Sequence, residues 1–303
     1  MSCLQTLSIK DKNGKRFNVP CGRCHDCLSK RRNDWSFRLY QEMKVSYTSK
    51  FITLTYDDEH IYCNTQGLPS LNKEDVQKFL KRLREAQNTE YKKLTSGYTR
   101  LDKGLRSLRK DQIIPKGLPK IRYYLCGEYG EQTQRPHYHI IIFNMLPSLE
   151  AKITEIWKNG TTHIAECNVK TIAYTTKYAL KNSTRKAETD LQQKPFSLMS
   201  RKPALGDIYL QANRNYHRKK HSTTVVNKSG GIQRLPRYYK DKIFNRWEQK
   251  YMSDLAIKAS DKNMIEESER LIRLGNNVAA YQLTQLRRMI YKQKVEILKS
   301  DKL

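Results

Sequence analysis

Two histidines one residue apart, His137 and His139, head the run Arg135-Pro136-His137-Tyr138-His139-Ile140-Ile141-Ile142-Phe143. Neutral imidazoles bind divalent metal ions, and two that point the same way form half of a metal site. The run reads as a β-strand, because a proline opens it and β-branched and aromatic residues fill it. Alternation puts His137 and His139 on one face, with Tyr138, Ile140 and Ile142 on the other. Glu128 lies nine residues before His137, in a second strand-like stretch over residues 122–130. A hairpin turning near Gln132 and Thr133 sets Glu128 opposite His137 and on its face. Two imidazoles and one carboxylate leave positions open for substrate oxygens, and such ligands admit magnesium, manganese or zinc.

A nucleophile to go with such an ion is offered by Tyr174-Thr175-Thr176-Lys177-Tyr178-Ala179-Leu180-Lys181. On a helix, Tyr174, Lys177, Tyr178 and Lys181 share one face, and Ile172, Thr176, Ala179 and Leu180 share the opposite one. A tyrosine hydroxyl can attack a phosphodiester, and a lysine one turn away can help a phenol that ordinarily titrates near 10. With 19 tyrosines, about 1.2 pairs at this spacing arise from composition alone, so spacing does not single these two out. The opposite face already supplies an apolar stripe, which argues against aromatic residues that merely pack on a sheet.

A third cluster is Cys21-x-x-Cys24-x-x-Cys27, to which Cys3 could add a fourth sulfur and His25 a substitute ligand. Structural zinc and free thiols both stay open. The Cys21-Gly22-Arg23-Cys24-His25 segment also matches a c-type haem attachment pattern, set aside because no export signal accompanies it. A ferredoxin-like run would want its own fourth cysteine downstream.

The elements that must position these groups follow from patterning. Residues 1–27 read as irregular, with turn signals at Asn13-Gly14 and Pro20. Residues 27–46 read as a helix with an apolar stripe of Leu28, Trp35, Leu39 and Met43 and a basic face of Lys30, Arg31, Arg32 and Arg38. A strand over residues 51–56 follows. Asn72 then caps a helix to about residue 86, with Asp75 mimicking a capping box. Residues 92–120 read as a long basic loop. After the metal hairpin come a helix near 149–158 stopped by Asn159-Gly160, a strand over 162–169, and the tyrosine helix. Residues 185–201 read as a polar connection and 200–206 as a basic loop. His217 and His221 could share a helical turn, though a phosphate-facing basic cluster is the preferred reading. Residues 223–235 suggest a small hairpin, and beyond Pro236 the chain reads as two or three helices, the last near 278–299.

The chain has 303 residues and a formal net charge of +28, the electrostatic footprint of a polyanion binder. No apolar run approaches the roughly 20 residues that span a bilayer, so no membrane association is expected. Without a signal-peptide pattern the expected location is cytoplasmic and reducing, where cysteines stay thiols or metal ligands. No Gly-rich lysine loop marks a nucleotide-driven motor.

The order of motifs Phe51-Ile52-Thr53-Leu54-Thr55-Tyr56, then Arg135-Pro136-His137-Tyr138-His139, then Tyr174-x-x-Lys177-Tyr178-x-x-Lys181 resembles the rolling-circle replication initiators, the His-hydrophobic-His (HUH) endonucleases. It is most similar to the initiators of small single-stranded DNA phages, the gokushovirus branch of the microviruses. Val19-Pro20-Cys21-Gly22-x-Cys24-x-x-Cys27, Cys126-Gly127-Glu128-Tyr129-Gly130 and Leu235-Pro236-Arg237-Tyr238-Tyr239 share in that resemblance, which runs from about Cys3 to Tyr239. It implies an α+β fold with an antiparallel sheet of about five strands, of which the sequence displays four, with helices on one side. The expected division is a Cys-rich basic arm and helix over 1–47, a nuclease domain over 48–205, and a basic, mainly helical region over 206–303.

The implied activity is site-specific nicking of single-stranded or origin DNA by tyrosine transesterification. This leaves a 5′-phosphotyrosyl link and a free 3′-hydroxyl for replication, followed by religation. Glu128, His137 and His139 would hold magnesium or manganese, Tyr174 and Tyr178 would be the nucleophiles, and Lys177 and Lys181 would assist. Lys30, Arg31, Arg32, Arg38 and Arg135 are the expected DNA contacts. The implied partners are single-stranded and origin DNA with the host helicase and polymerase, in the cytoplasm of a host bacterium. A transposase or relaxase of the same superfamily, or a non-catalytic zinc-containing single-strand-binding protein, are the alternatives.

Overall fold

A computed structural model of the chain describes residues 3, 6–99, 117–118, 120–130, 133–181, 192–226, 230–273 and 289. These form two compact units, residues 32–212 and residues 1–31 with 213–303.

The first unit is built on a five-stranded antiparallel sheet. Its strands are β3 (Ser49–Tyr56), β4 (Arg122–Tyr129), β5 (Pro136–Phe143), β6 (Gly160–Glu166) and β7 (Phe196–Met199), in the order β6-β3-β5-β4-β7. The histidine strand β5 is therefore central. Its unbroken Ile140-Ile141-Ile142-Phe143 run fits that place, since a strand covered on both faces needs apolar residues at every position. Ile140, Ile141, Ile142 and Phe143 are fully buried, each contributing about 1.5–3 kcal/mol.

The two faces have different cores. Tyr138, Ile140 and Ile142 join Ile52, Leu54 and Tyr56 against Val76, Phe79, Leu80 and Leu83 of α2 (Lys73–Thr99) and Ile153, Ile156 and Trp157 of α3 (Ile153–Trp157). Ile141 and Phe143 join Phe51 and Tyr124 against Leu39 of α1 (His25–Val45), Ile172 of α4 (Val169–Lys181) and Leu205. Helices thus lie on both faces, not one side. The reason is in β5 itself: an apolar residue at each position leaves neither face fit for water.

Local chemistry sets the element ends. Asn72 Oδ1 accepts the Glu74 amide at 2.9 Å, as an N-cap should. Asp75 does not complete a capping box; it accepts the Tyr56 hydroxyl at 2.8 Å. Helix α2 runs on to Thr99 because Gln87 is buried and Tyr91 and Leu94 keep packing on the core. Residues 92–99 are therefore helix, not loop, and residues 100–116 and 119 of the expected loop lie outside the described residues. Helix α3 ends at Lys158, in the left-handed conformation at φ 68°, one residue earlier than the Asn-Gly pair. Arg82 donates to the exposed carbonyls of Ile156 and Trp157, at 2.8 Å each. Gly160 is required by space: a Cβ there would stand 2.3 Å from the Asp57 nitrogen.

The fifth strand, β7, sits in the stretch read as a polar connection. Four residues long and at the sheet edge, it pairs only with β4. Strand β6 starts and ends before its expected bounds, at Gly160 and Glu166. A buried ion pair, Arg122 with Glu42, links β4 to α1, and Glu42 also accepts the Gly206 amide at 2.7 Å.

In the second unit, residues 1–27 are not wholly irregular. They carry a hairpin of β1 (Leu7–Lys10) and β2 (Arg16–Val19) around the expected Asn13-Gly14 turn. The end of α5 (Asp207–Lys220), a second hairpin of β8 (Thr224–Val226) and β9 (Ile232–Arg234), α6 (Arg237–Ile243) and α7 (Arg246–Arg273) complete the described part. His217 does not face outward: it is buried, with Nδ1 2.9 Å from the Ser222 carbonyl, while Arg218, Lys219 and Lys220 are exposed. His217 thus fastens the end of α5, and the expected last helix lies outside the described residues apart from residue 289.

Candidate metal centre and nucleophile helix

Cross-strand register assembles the site. Glu128 on β4 pairs directly with His137 on β5, and Cys126 with His139. Directly opposed residues in an antiparallel pair project to the same face, so Glu128 and both imidazoles meet. Glu128 Oε1 lies 3.0 Å from His137 Nε2 and 2.9 Å from His139 Nε2. Glu128 and His139 are buried, and His137 is half-buried.

The opposite ring nitrogens are also held. His137 Nδ1 lies 3.1 Å from the Arg135 carbonyl, which can only accept, so Nδ1 carries a proton. His139 Nδ1 lies 3.1 Å from the Thr53 hydroxyl on β3, the residue directly opposite it on the other side. Both rings therefore present Nε2 to the shared point, the usual way in which an outer partner orients a metal-binding histidine.

Electrostatics agree with that arrangement. Burial pushes the Glu128 pKa up, but hydrogen bonds from His137 and His139 outweigh it and bring the carboxyl below its usual range. Burial pushes His137 down, while the Glu128 carboxylate and the Arg135 carbonyl together hold it above its usual range. A carboxylate and two imidazoles concentrated in a buried corner suit a divalent cation. The spacing suits one too: adjacent ligands of an octahedral ion at about 2.1 Å stand about 3.0 Å apart.

Helix α4 lies over this face. The Tyr174 ring meets His139 edge-on, with centroids 5.1 Å apart, and meets Phe51 at 6.0 Å. Phe51 also stacks on His139 at 5.6 Å. Tyr174 and Lys177 are exposed, and Ile172, Thr175 and Thr176 are buried. The helix is anchored at its start by Asn168, whose Oδ1 accepts the Lys170 amide at 2.8 Å, and against β4 by the Cys126 thiol, 3.6 Å from the Thr175 carbonyl. Tyr178 and Lys181 belong to the same helix, but their side chains lie outside the described part.

The family model of the replication-associated protein ORF2 matches residues 49–183, the stretch that contains the sheet strands β3 to β6, the Glu-His-His centre and α4. The replication-associated protein VP4 of Bdellovibrio phage phiMH2K is 28% identical over 84% of this chain and 76% of its own length. This chain is a relative of the phage replication-associated proteins. The ORF2 protein of Spiroplasma virus 4 is 27% identical over 86% of each chain. The ORF4 protein of Chlamydia phage 1 is 25% identical over 74% of this chain and about half of its own length, 53%. The similarity to phage replication proteins that the motifs display therefore holds across most of the chain. The nuclease domain of the minute virus of mice non-structural protein 1 overlays with a TM-score of 0.17 at 11% identity, over 62% of this chain and 82% of that one, too slight a likeness to bear on the fold.

The remaining expected residues are placed as follows. The four cysteines Cys3, Cys21, Cys24 and Cys27 come together in the unit of residues 1–31 and 213–303. Lys30, Arg31 and Arg32 follow in α1, with Arg31 exposed and the other two half-buried. Arg38 does not project freely: its guanidinium donates to the Leu205 carbonyl at 3.0 Å and lies 4.2 Å from the Trp35 ring centroid. Arg135 pairs with Asp58. Among the described residues, no helix is long and apolar enough to cross a membrane. Sequence reading missed the roles of Thr53 and Phe51. The alternation of β3 carried the signal, but it becomes useful only once β3 is known to pair with β5.

Proposed function

We propose that this chain is a rolling-circle replication initiator that nicks and religates single-stranded DNA at an origin, in the cytoplasm of a host bacterium. Residues 48–205 are read as its nuclease domain. The observation that carries the proposal is the shared contact of His137 and His139 Nε2 with one Glu128 oxygen, at 3.0 and 2.9 Å, beneath the tyrosine helix.

Glu128, His137 and His139 would hold magnesium or manganese. When bound, such an ion withdraws charge from the scissile phosphate and makes phosphorus more electrophilic. The chain's own groups do the rest. Tyr174 supplies a hydroxyl from a helix fixed over the site. Its oxygen attacks phosphorus, the bond from phosphorus to the 3′-oxygen breaks, and the proton lost by the phenol is balanced by one gained at the leaving 3′-oxygen. The product is a 5′-phosphotyrosyl link and a free 3′-hydroxyl. Religation is the reverse: the 3′-hydroxyl attacks and the tyrosine leaves, so no nucleotide is consumed. Lys177, one turn on, offers a cation to the phenol, and Tyr178 with Lys181 would repeat the arrangement for a second cut. A net charge of +28 supports distributed phosphate contacts, which give affinity without reading sequence. Arg135, held by Asp58 at the head of β5, and the lysine and arginines of α1 are the proposed contributors, with the host helicase and polymerase as partners.

The test is incubation with an end-labelled pool of single-stranded DNA in magnesium or manganese, then denaturing electrophoresis. A protein–DNA adduct that survives denaturation is expected. Absence of any adduct across the pool, from protein that binds the same DNA, refutes the proposal.

A further inference from the structure

Four cysteine sulfurs, from Cys3, Cys21, Cys24 and Cys27, lie within 4.8 Å of one another in the unit of residues 1–31 and 213–303. All four are free thiols. Cys24 Sγ is 3.8 Å from Cys3 Sγ, and Cys21 Sγ is 4.0 Å from Cys27 Sγ. Sulfurs at the corners of a tetrahedron, each about 2.3 Å from a central zinc, stand about 3.8 Å apart. The spacing is thus that of four ligands around one ion.

The backbone is arranged for thiolate. The Cys21 amide points at Cys3 Sγ, at 3.3 Å. The amides of Arg23 and Cys24 both point at Cys21 Sγ, at 3.4 and 3.2 Å. Hydrogen-bond donors aimed at sulfur favour its charged, metal-binding form. Gly22 makes the double approach attainable. Its φ is +74°, which side chains rarely adopt, and an added Cβ would meet nothing within 4 Å, so conformation and not space calls for glycine. The Cys24 carbonyl accepts the Leu28 amide at 3.0 Å and so begins α1, which places Cys27 in its first turn.

A second observation says why an ion is needed. The chain between Cys3 and Cys21 folds as the β1–β2 hairpin, yet it buries very little: Leu7 is 53%, Ile9 42% and Phe17 45% exposed. A lone two-stranded hairpin with no apolar face covered is marginal in water. Cys3 and Cys27, by contrast, are buried. The thiols form the interior that the hairpin otherwise lacks.

We propose that Cys3, Cys21, Cys24 and Cys27 bind one structural zinc ion as a closed tetrathiolate, which fastens residues 3–21 to the start of α1. Four sulfurs fill the coordination sphere, so the ion has no open position and takes no part in chemistry on DNA. Its binding displaces the thiol protons, and its free energy becomes folding free energy for this segment. The proposal is independent of the reading of the Glu-His-His centre, because none of its ligands is shared.

The test uses the full chain, purified under reducing conditions and dialysed against magnesium buffer, with metal content read by mass spectrometry. One zinc per chain is expected in the wild type and in the H137A/H139A variant, and at least a tenfold loss in the C21S/C24S variant. Cobalt exchanged into wild-type protein should give the intense thiolate-to-cobalt charge-transfer band and the visible bands of tetrahedral sulfur coordination. This reading needs no variant, so it stands even where the cysteine variant fails to fold. Zinc that disappears with the histidine pair, iron in place of zinc, or wild-type protein with no metal and all its thiols instantly reactive would each overturn the proposal.

Discussion

Replacing Thr53 by Val should weaken divalent-metal binding at the Glu-His-His centre without touching a ligand. The Thr53 hydroxyl takes the Nδ1 proton of His139 at 3.1 Å and so commits Nε2 to the shared point with Glu128. Valine keeps the shape and removes the acceptor. The Nδ1 proton is then unsatisfied in a nearly dry corner, and the ring gains by moving that proton to Nε2, where Glu128 accepts it and the ligand position is lost. Loss of such an outer partner typically weakens metal binding 10- to 100-fold, or about 1.4–2.8 kcal/mol. The cost to folding should be smaller, about 1 kcal/mol for one hydrogen bond. Calorimetric titration with manganese, alongside thermal melts in chelator, separates the two. Manganese affinity within twofold of wild type would refute the reasoning, because Thr53 would then have no hold on the His139 tautomer. A melt that collapses in chelator would make Thr53 a packing residue first.

Three further outcomes are expected. Tyr174→Phe and Tyr178→Phe should each leave some covalent adduct but fail to complete cutting and rejoining, and the double variant should form none; one single variant that completes the cycle normally ends the two-nucleophile reading. The H137A/H139A variant should lose cleavage and keep most single-strand affinity, which rests on many Lys and Arg contacts; cleavage at the wild-type rate by gel assay removes the metal centre from the chemistry. In chelator, the raised His137 pKa stabilises the fold fully below the usual 6.5 and loses that contribution as pH rises through the raised value, while the lowered Glu128 pKa stabilises above the usual 4.5 and loses it on acidification. Manganese needs neutral imidazoles, so the gap between melting temperatures with and without it should widen as pH rises, and a gap that is flat or narrows above neutrality contradicts this.

Much of the site is legible in the sequence because it is local. His137 and His139 are two apart on one strand and Glu128 is one hairpin away, so alternation and a single turn suffice to bring them together. Thr53 comes from 84 residues before His137, and nothing local announces that β3 will lie beside β5. Strand β7 hides for a related reason. With four residues at a sheet edge, it shows too little periodicity to stand out from a polar stretch. The end of α2 escapes the apolar pattern because its inner face continues through Gln87, a polar residue that is buried by donating to the Asn144 carbonyl and accepting the Leu146 amide. The arginine face of α1 promises more than it holds, since charge counts do not distinguish Arg38 capping a loop from an arginine awaiting phosphate.

The residue between the two histidines has a consequence of its own. Behind the metal face, the Tyr138 hydroxyl takes the Asn72 amide at 2.8 Å, gives its proton to the Asn72 carbonyl at 2.9 Å, and lies 3.0 Å from the Tyr56 hydroxyl. A strand that slid by one position would carry this phenol into the corner meant for imidazoles and turn both histidines toward an apolar core. The phenol acts as a key in a keyway. It fits only when β5 is threaded in one alignment, so the step that seats the first turn of α2 also proofreads the placement of the ligands. Errors in assembling the sheet would be rejected during folding, before any metal or DNA could meet a misbuilt site.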